Sequence, residues 1–147
     1  MKNVLRTTLL AFLLILVTNS TDKADTLPVK KILTFEDVQP FILFFESSNG
    51  RYKFNRNKNG TVDCGEHHIN SRHFLISKTK PTKMQFAIDS VFNKFKIPSK
   101  LKVRVMEAMR NDTLNEELAI VIFRIQGVKA WMSYPKFKQY LEGYKYE

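Results

Sequence analysis

Glu46 closes the apolar run Phe41-Ile42-Leu43-Phe44-Phe45, and Asp63 follows it by seventeen residues inside Thr61-Val62-Asp63-Cys64-Gly65-Glu66-His67-His68-Ile69-Asn70-Ser71. Two carboxyl groups in unlike surroundings suit cleavage of a glycosidic bond, because one must deliver a proton while the other stays charged. Groups able to hold a sugar stand nearby in sequence. Asn70 and Ser71 could hydrogen-bond an N-acetyl group, or cap a turn. His67 and His68 could contact sugar or make Glu46 sensitive to pH, since imidazole titrates near neutrality. Trp131 could stack on a sugar ring or sit in the core. Glu66, His67, His68 and His73 also suggest a zinc site, but no established ligand spacing is present and alternation sends His67 and His68 to opposite faces. Neither metal nor cofactor is expected.

Positioning these groups requires a helix end and a hairpin. Thr34-Phe35-Glu36-Asp37 is a capping signature, and Pro40 fits a first helical turn. The run that follows reads as a buried helix ending at Glu46 to Ser48, closed by Asn49-Gly50. Asn55-Arg56-Asn57-Lys58-Asn59-Gly60 is turn chemistry, so residues 51–69 read as two or three antiparallel strands. Met84, Ala87, Ile88, Val91, Phe92 and Phe95 keep a helical period between Pro81 and Pro98. Leu101, Val105, Ala108 and Met109 form a second stripe, with Ser99 as its cap. Asn115 is expected to cap a third helix, Glu116 to Gln126, apolar almost all round and therefore central. Pro135 opens a last helix carrying Phe137, Tyr140, Leu141 and Tyr144 on one face, with Tyr140 in the core. The expected fold class is α+β, mainly α: a helical domain with a small β-hairpin lobe.

At 147 residues, with 44% hydrophobic and 26% charged side chains, the chain fits one domain with a sizeable core. Lys2 and Arg6, the nine-residue apolar stretch Leu9 to Val17 and the small residues Thr18-Asn19-Ser20 form a signal-peptide pattern. Nine residues fall short of the ~20 needed to span a bilayer, so no stable membrane span is expected after cleavage. The expected division is 1–20 signal peptide, 21–31 short polar tail and 32–147 folded domain, with a periplasmic or secreted location. In an exported domain the single Cys64 has no internal disulfide partner and reads as a small buried residue. The net charge is +10, and loss of Lys2 and Arg6 leaves 10 − 2 = +8. That surplus draws the protein to polyanions, but the lysines are scattered and no groove-reading motif accompanies them, so nucleic acid is not an expected partner.

Phe45-Glu46-Ser47, the stretch Asn55 to Gly65 and Ile69-Asn70-Ser71-Arg72 together resemble the lysozyme superfamily, both animal-type lysozymes and bacterial lytic transglycosylases of the invasion or conjugation type. Val128-Lys129-Ala130-Trp131, Tyr134-Pro135 and Phe137 resemble the C-terminal region of the bacterial enzymes. Animal lysozymes carry several disulfides, whereas this chain has one cysteine, which favours the bacterial branch. The resemblance implies a lysozyme-like fold and peptidoglycan glycan strands as substrate. Cleavage would fall between N-acetylmuramic acid and N-acetylglucosamine, beside secretion or conjugation machinery. Glu46 would protonate the bridging oxygen and then take the proton of the sugar's C6 hydroxyl, leaving a 1,6-anhydro end. In a hydrolytic lysozyme Asp63 would stabilise the developing cation or act as nucleophile. The matched motif also brings Ser47 and Gly65 into the substrate-binding set with His67, His68, Asn70, Ser71 and Trp131. Two departures stand out. Glu66-His67-His68 replaces the usual apolar pair and glutamine, and Phe123-Arg124-Ile125-Gln126-Gly127 lacks the tyrosine-asparagine motif of the central helix. They motivate an alternative, a catalytically weak or silent peptidoglycan-binding module on the same fold.

Overall fold

The computed structural model describes residues 31–131, 133–142 and 144–145. The expected signal peptide and nearly all of the polar tail lie outside them. Lys31, assigned to the tail, already belongs to strand β1 (Lys31–Ile32), which pairs in parallel with β5 (Tyr144–Lys145).

Helix α1 (Phe35–Ser47) begins at Thr34, whose hydroxyl accepts the Asp37 N–H while the Asp37 carboxylate accepts the Thr34 N–H. This reciprocal cap fixes the helix start. Pro40, expected in the first turn, stands inside the helix with its ring exposed. It forgoes one backbone hydrogen bond there. The apolar run is only half buried, contrary to expectation. Val38 and Ile42 are sealed in the core, Phe41 and Phe45 lean on Phe137 with ring centroids 5.8 and 6.0 Å apart, and Phe44 is left 57% exposed.

Strands β2 (Phe54–Arg56), β3 (Val62–Cys64) and β4 (Ile69–Asn70) form the expected antiparallel lobe. Its register sets Asn55 opposite Asp63 and Asp63 opposite Asn70. Alternation along β3 turns Asp63 to one face while Cys64 faces the core. A 3₁₀ turn (Ser71–His73) leads away from the lobe.

Helix α2 (Lys83–Lys94) is capped by Thr82 and Gln85 in a second reciprocal box and buries Met84, Ile88, Val91 and Phe92. Helix α3 (Leu101–Arg110) follows Lys100 without a side-chain cap, so Ser99 does not start it. Its inner face is also rotated from the expected stripe. Leu101 is 42% exposed, whereas Arg104 is 1% exposed and lies with Ala108 against the core. Arg104 donates to the Phe74 carbonyl and to the Asp89 carboxylate of α2, and its guanidinium lies 4.6 Å over the Phe92 ring. Through the Phe74 carbonyl it ties the exit of the 3₁₀ turn to α2 and α3.

Helix α4 (Asp112–Gln126) starts one turn earlier than expected. Asn111 is its cap, accepting the Leu114 N–H at 3.0 Å. Leu114, Leu118, Ala119 and Ile122 form the buried face, and the leucines and isoleucine are each worth about 1.5–3 kcal/mol on burial. The helix packs on α2, α3, β4 and the 3₁₀ turn Val128–Ala130, in keeping with a central position. Gly127 (φ +66) ends it. The short α5 (Tyr134–Phe137) continues into a 3₁₀ turn (Lys138–Leu141) that buries Phe137 and Leu141. Tyr140 is not a core residue. It is 56% exposed, stacked on Phe41 at 5.4 Å from the surface side. Among the described residues no helix is long and apolar enough to cross a membrane.

Candidate active site

Glu46 and Asp63 line the same cleft, which has a volume of about 460 Å³. Space of that size holds a sugar-scale ligand. Glu46 enters from the last turn of α1 and Asp63 from the strand lobe. His68, Asn70, Arg72 and His73 belong to the same lining, with Lys58 on the hairpin loop, Gln126 at the end of α4, and Trp131.

The end of α1 holds Glu46 in place. Ser48, Asn49 and Gly50 all take left-handed backbone angles (φ 52°, 58° and 78°). The Asn49 N–H returns to the Leu43 carbonyl at 2.8 Å. Ser47, expected at the substrate, is fully buried behind this reversal. Its hydroxyl donates to the Leu43 carbonyl and accepts the Gly50 N–H. Ser47 therefore latches the helix end instead of lining the cleft. Glu46 itself has one carboxylate oxygen accepting the Ser133 N–H at 2.9 Å and the other 3.8 Å from His68 Nδ1. Its side chain is 14% exposed.

Asp63 is gripped by three amides. Asn57 and Asn70 donate to Oδ1 at 3.0 and 2.8 Å, and Asn55 donates to Oδ2 at 3.1 Å. No basic side chain pairs with it among the described residues. The result is a carboxylate of fixed orientation inside the cleft, suited to stabilising positive charge. Asn70 thus lines the cleft while orienting Asp63. Ser71, expected to touch substrate, is 7% exposed and its hydroxyl accepts the Val62 N–H, pinning the lobe.

Beneath the cleft lies a buried polar knot that the sequence did not disclose. Asn115, fully buried on α4, accepts both the His67 backbone N–H and His67 Nδ1 at 2.9 Å, and donates to the Cys64 carbonyl at 2.9 Å. Gly65 runs against this side chain with φ +74. A Cβ there would stand 2.1 Å from Asn115 Nδ2 and 2.5 Å from the Ala108 carbonyl oxygen. Gly65 is therefore a close-approach residue and not part of the cleft lining. His67 is likewise inside the domain, 2% exposed, with Gln39 Nε2 3.3 Å from its second ring nitrogen. Trp131 is 5% exposed. Its Nε1–H donates to the His67 carbonyl at 2.8 Å, so the indole forms a wall of the cleft from the core side. Burial pushes the Cys64 thiol up to about 12, with the Asp63 charge acting in the same sense, which removes it as a nucleophile.

These contacts give His67 a definite protonation. Asn115 Oδ1 can only accept, so Nδ1 carries the hydrogen and Nε2 faces the Gln39 amide, which donates in turn to Glu116. Burial holds the imidazole below its ordinary range, against the opposing effect of the Asn115 hydrogen bond. The folded-state value is thus depressed, so the neutral ring's contribution is complete above the unfolded pKa of about 6.5 and is lost as pH falls below it. Unfolding free energy should decline from about pH 7 toward pH 5, by up to about 1.4 kcal/mol per pH unit for one proton. In His67→Gln, which can still donate to Asn115, denaturant melts across that range should show a shallower decline. His73, also depressed by burial and by Arg72, supplies the remaining slope.

Comparison with known proteins gives no match: no family profile, no curated protein and no solved structure aligns with this chain.

Proposed function

We propose that this domain cleaves peptidoglycan glycan strands as a lytic transglycosylase, with Glu46 as both acid and base. The observation that carries the reading is the meeting in one cleft of Glu46 from a helix end and Asp63 from the strand lobe, beside His68, Asn70 and Trp131. The Glu46 proton passes to the bridging oxygen as the C1–O bond breaks. The sugar's C6 oxygen then bonds to C1, and its proton returns to the Glu46 carboxylate. Asp63, fixed by three amides, stabilises the cationic character at C1. Such enzymes act on the cell wall beside secretion or conjugation machinery, in the periplasm or outside the cell.

A second reading is favoured by the rigid orientation of Asp63. A carboxylate so held can support attack by water, which would make the domain a hydrolytic lysozyme. Product mass separates the two. Digestion of purified sacculi by the transglycosylase releases fragments one water lighter than hydrolysis products, with 1,6-anhydro ends. Ordinary reducing ends would assign the hydrolase. Retention on sacculi without soluble fragments would leave a binding module and end the enzyme reading.

A further inference from the structure

His68 stands between the Tyr52 backbone and Glu46. Its ring Nε2 lies 2.7 Å from the Tyr52 carbonyl oxygen, which can only accept, so Nε2 carries the hydrogen. In the neutral ring Nδ1 is then a bare lone pair, and it stands 3.8 Å from Glu46 Oε2. The other Glu46 oxygen is occupied by the Ser133 N–H. Both side chains are largely enclosed, 11% exposed for His68 and 14% for Glu46. The backbone is bent to achieve this. His68 has φ +49, in the left-handed region that non-glycine residues rarely adopt, and its N–H returns to the Gly65 carbonyl at 3.2 Å.

We infer that His68 is a positioning residue that aims a titratable nitrogen at Glu46 and supports the carboxylate formed when the acid proton leaves. The inference rests on the glycosidase reading. As imidazolium, His68 places a cation beside the Glu46 carboxylate at the moment the bridging oxygen has taken the proton. As neutral imidazole it withdraws that support. The charged and titratable groups facing the same space are Glu46 from α1, Asp63 and Lys58 from the hairpin, and Arg72 and His73 from the 3₁₀ turn. Glu66, two residues away, is engaged by Lys53 at 3.0 Å. Of these, Glu46 is the group that lies against Nδ1.

His68→Gln keeps a donor for the Tyr52 carbonyl but cannot place a cation beside Glu46. With sacculi as substrate and the full chain as enzyme, the parent should exceed this variant by about tenfold in kcat, with KM unchanged. An effect confined to KM, or equal rates, would reduce His68 to a structural residue and overturn the inference. Glu46→Gln is measured alongside. If it cuts as fast as the parent, the glycosidase reading fails. If it is inactive while His68→Gln keeps the parental kcat, the His68 inference alone fails. A measurement independent of turnover uses ¹⁵N NMR of the ring nitrogens. Neutral His68 should carry its proton on Nε2, and the Nδ1 resonance should move in Glu46→Gln. A proton on Nδ1, or an Nδ1 signal indifferent to Glu46, would overturn the inference even in a chain that cuts nothing.

Discussion

Glu46→Gln is expected to lower turnover on peptidoglycan by about 10²–10⁴-fold, the usual share of a general acid–base group, while leaving the fold unchanged. The substitution keeps the shape of the side chain. Its amide oxygen can still accept the Ser133 N–H, and its N–H₂ can reach toward His68 Nδ1. An amide, however, has no acid proton to give to a bridging oxygen and no basic oxygen to take one back. Because the packing and the backbone contact survive, the unfolding free energy should stay within about 1 kcal/mol of the parent, the size of one typical hydrogen bond. Initial rates of fragment release, read beside denaturant melts, decide the matter. A variant that melts with the parent and cuts at the parental rate would move the acid to another residue.

The second large effect concerns stability. Asn115→Ala removes a hydrogen-bond partner from each of three buried groups: the His67 N–H, the His67 ring nitrogen and the Cys64 carbonyl. Each stranded group costs about 1–3 kcal/mol, so the loss is expected near 3–9 kcal/mol. A domain of this size has only about 5–15 kcal/mol in total. Chemical denaturation should therefore show a markedly earlier midpoint or no folded baseline. Asn115→Asp separates the roles of the two amide atoms. It keeps the acceptor for His67 but sets a carboxylate against the Cys64 carbonyl, and should be destabilised as well. A melt of Asn115→Ala within 1 kcal/mol of the parent would mean that water or a shifted side chain satisfies the knot.

The strand lobe and the end of α1 were legible because local chemistry specifies them. Asn59-Gly60 demands a turn, Thr34 with Asp37 demands a helix start, and Asn49-Gly50 tolerates the left-handed exit. The pairing of Glu46 with Asp63 in one cleft follows from those two pieces packing together, and His68, Asn70 and Trp131 join them. Ser47, Gly65, His67 and Ser71 sit in the same motif but serve the scaffold, since adjacency in sequence does not say which side of a turn a group faces. The polar knot and Arg104 were not legible from periodicity. Asn115 finds its carbonyl partner 51 residues away and Arg104 finds the Phe74 carbonyl 30 residues away. A signal existed for both. Asn115 shares a helical face with Leu118, Ala119 and Ile122, and Arg104 lies one turn before Ala108, so each is a polar group on an apolar face that must have a partner. Asn55 and Asn57 have the composition of turn formers, yet their register opposite or beside Asp63 makes them its clamp.

The chain has a single tryptophan, and it stands in the cleft wall with its ring nitrogen fastened to the turn that carries His68. Tryptophan fluorescence of this protein therefore originates at one known address. Emission wavelength and quenching would register any ligand that docks at that wall without any attached dye, and unfolding will read out through the same indole.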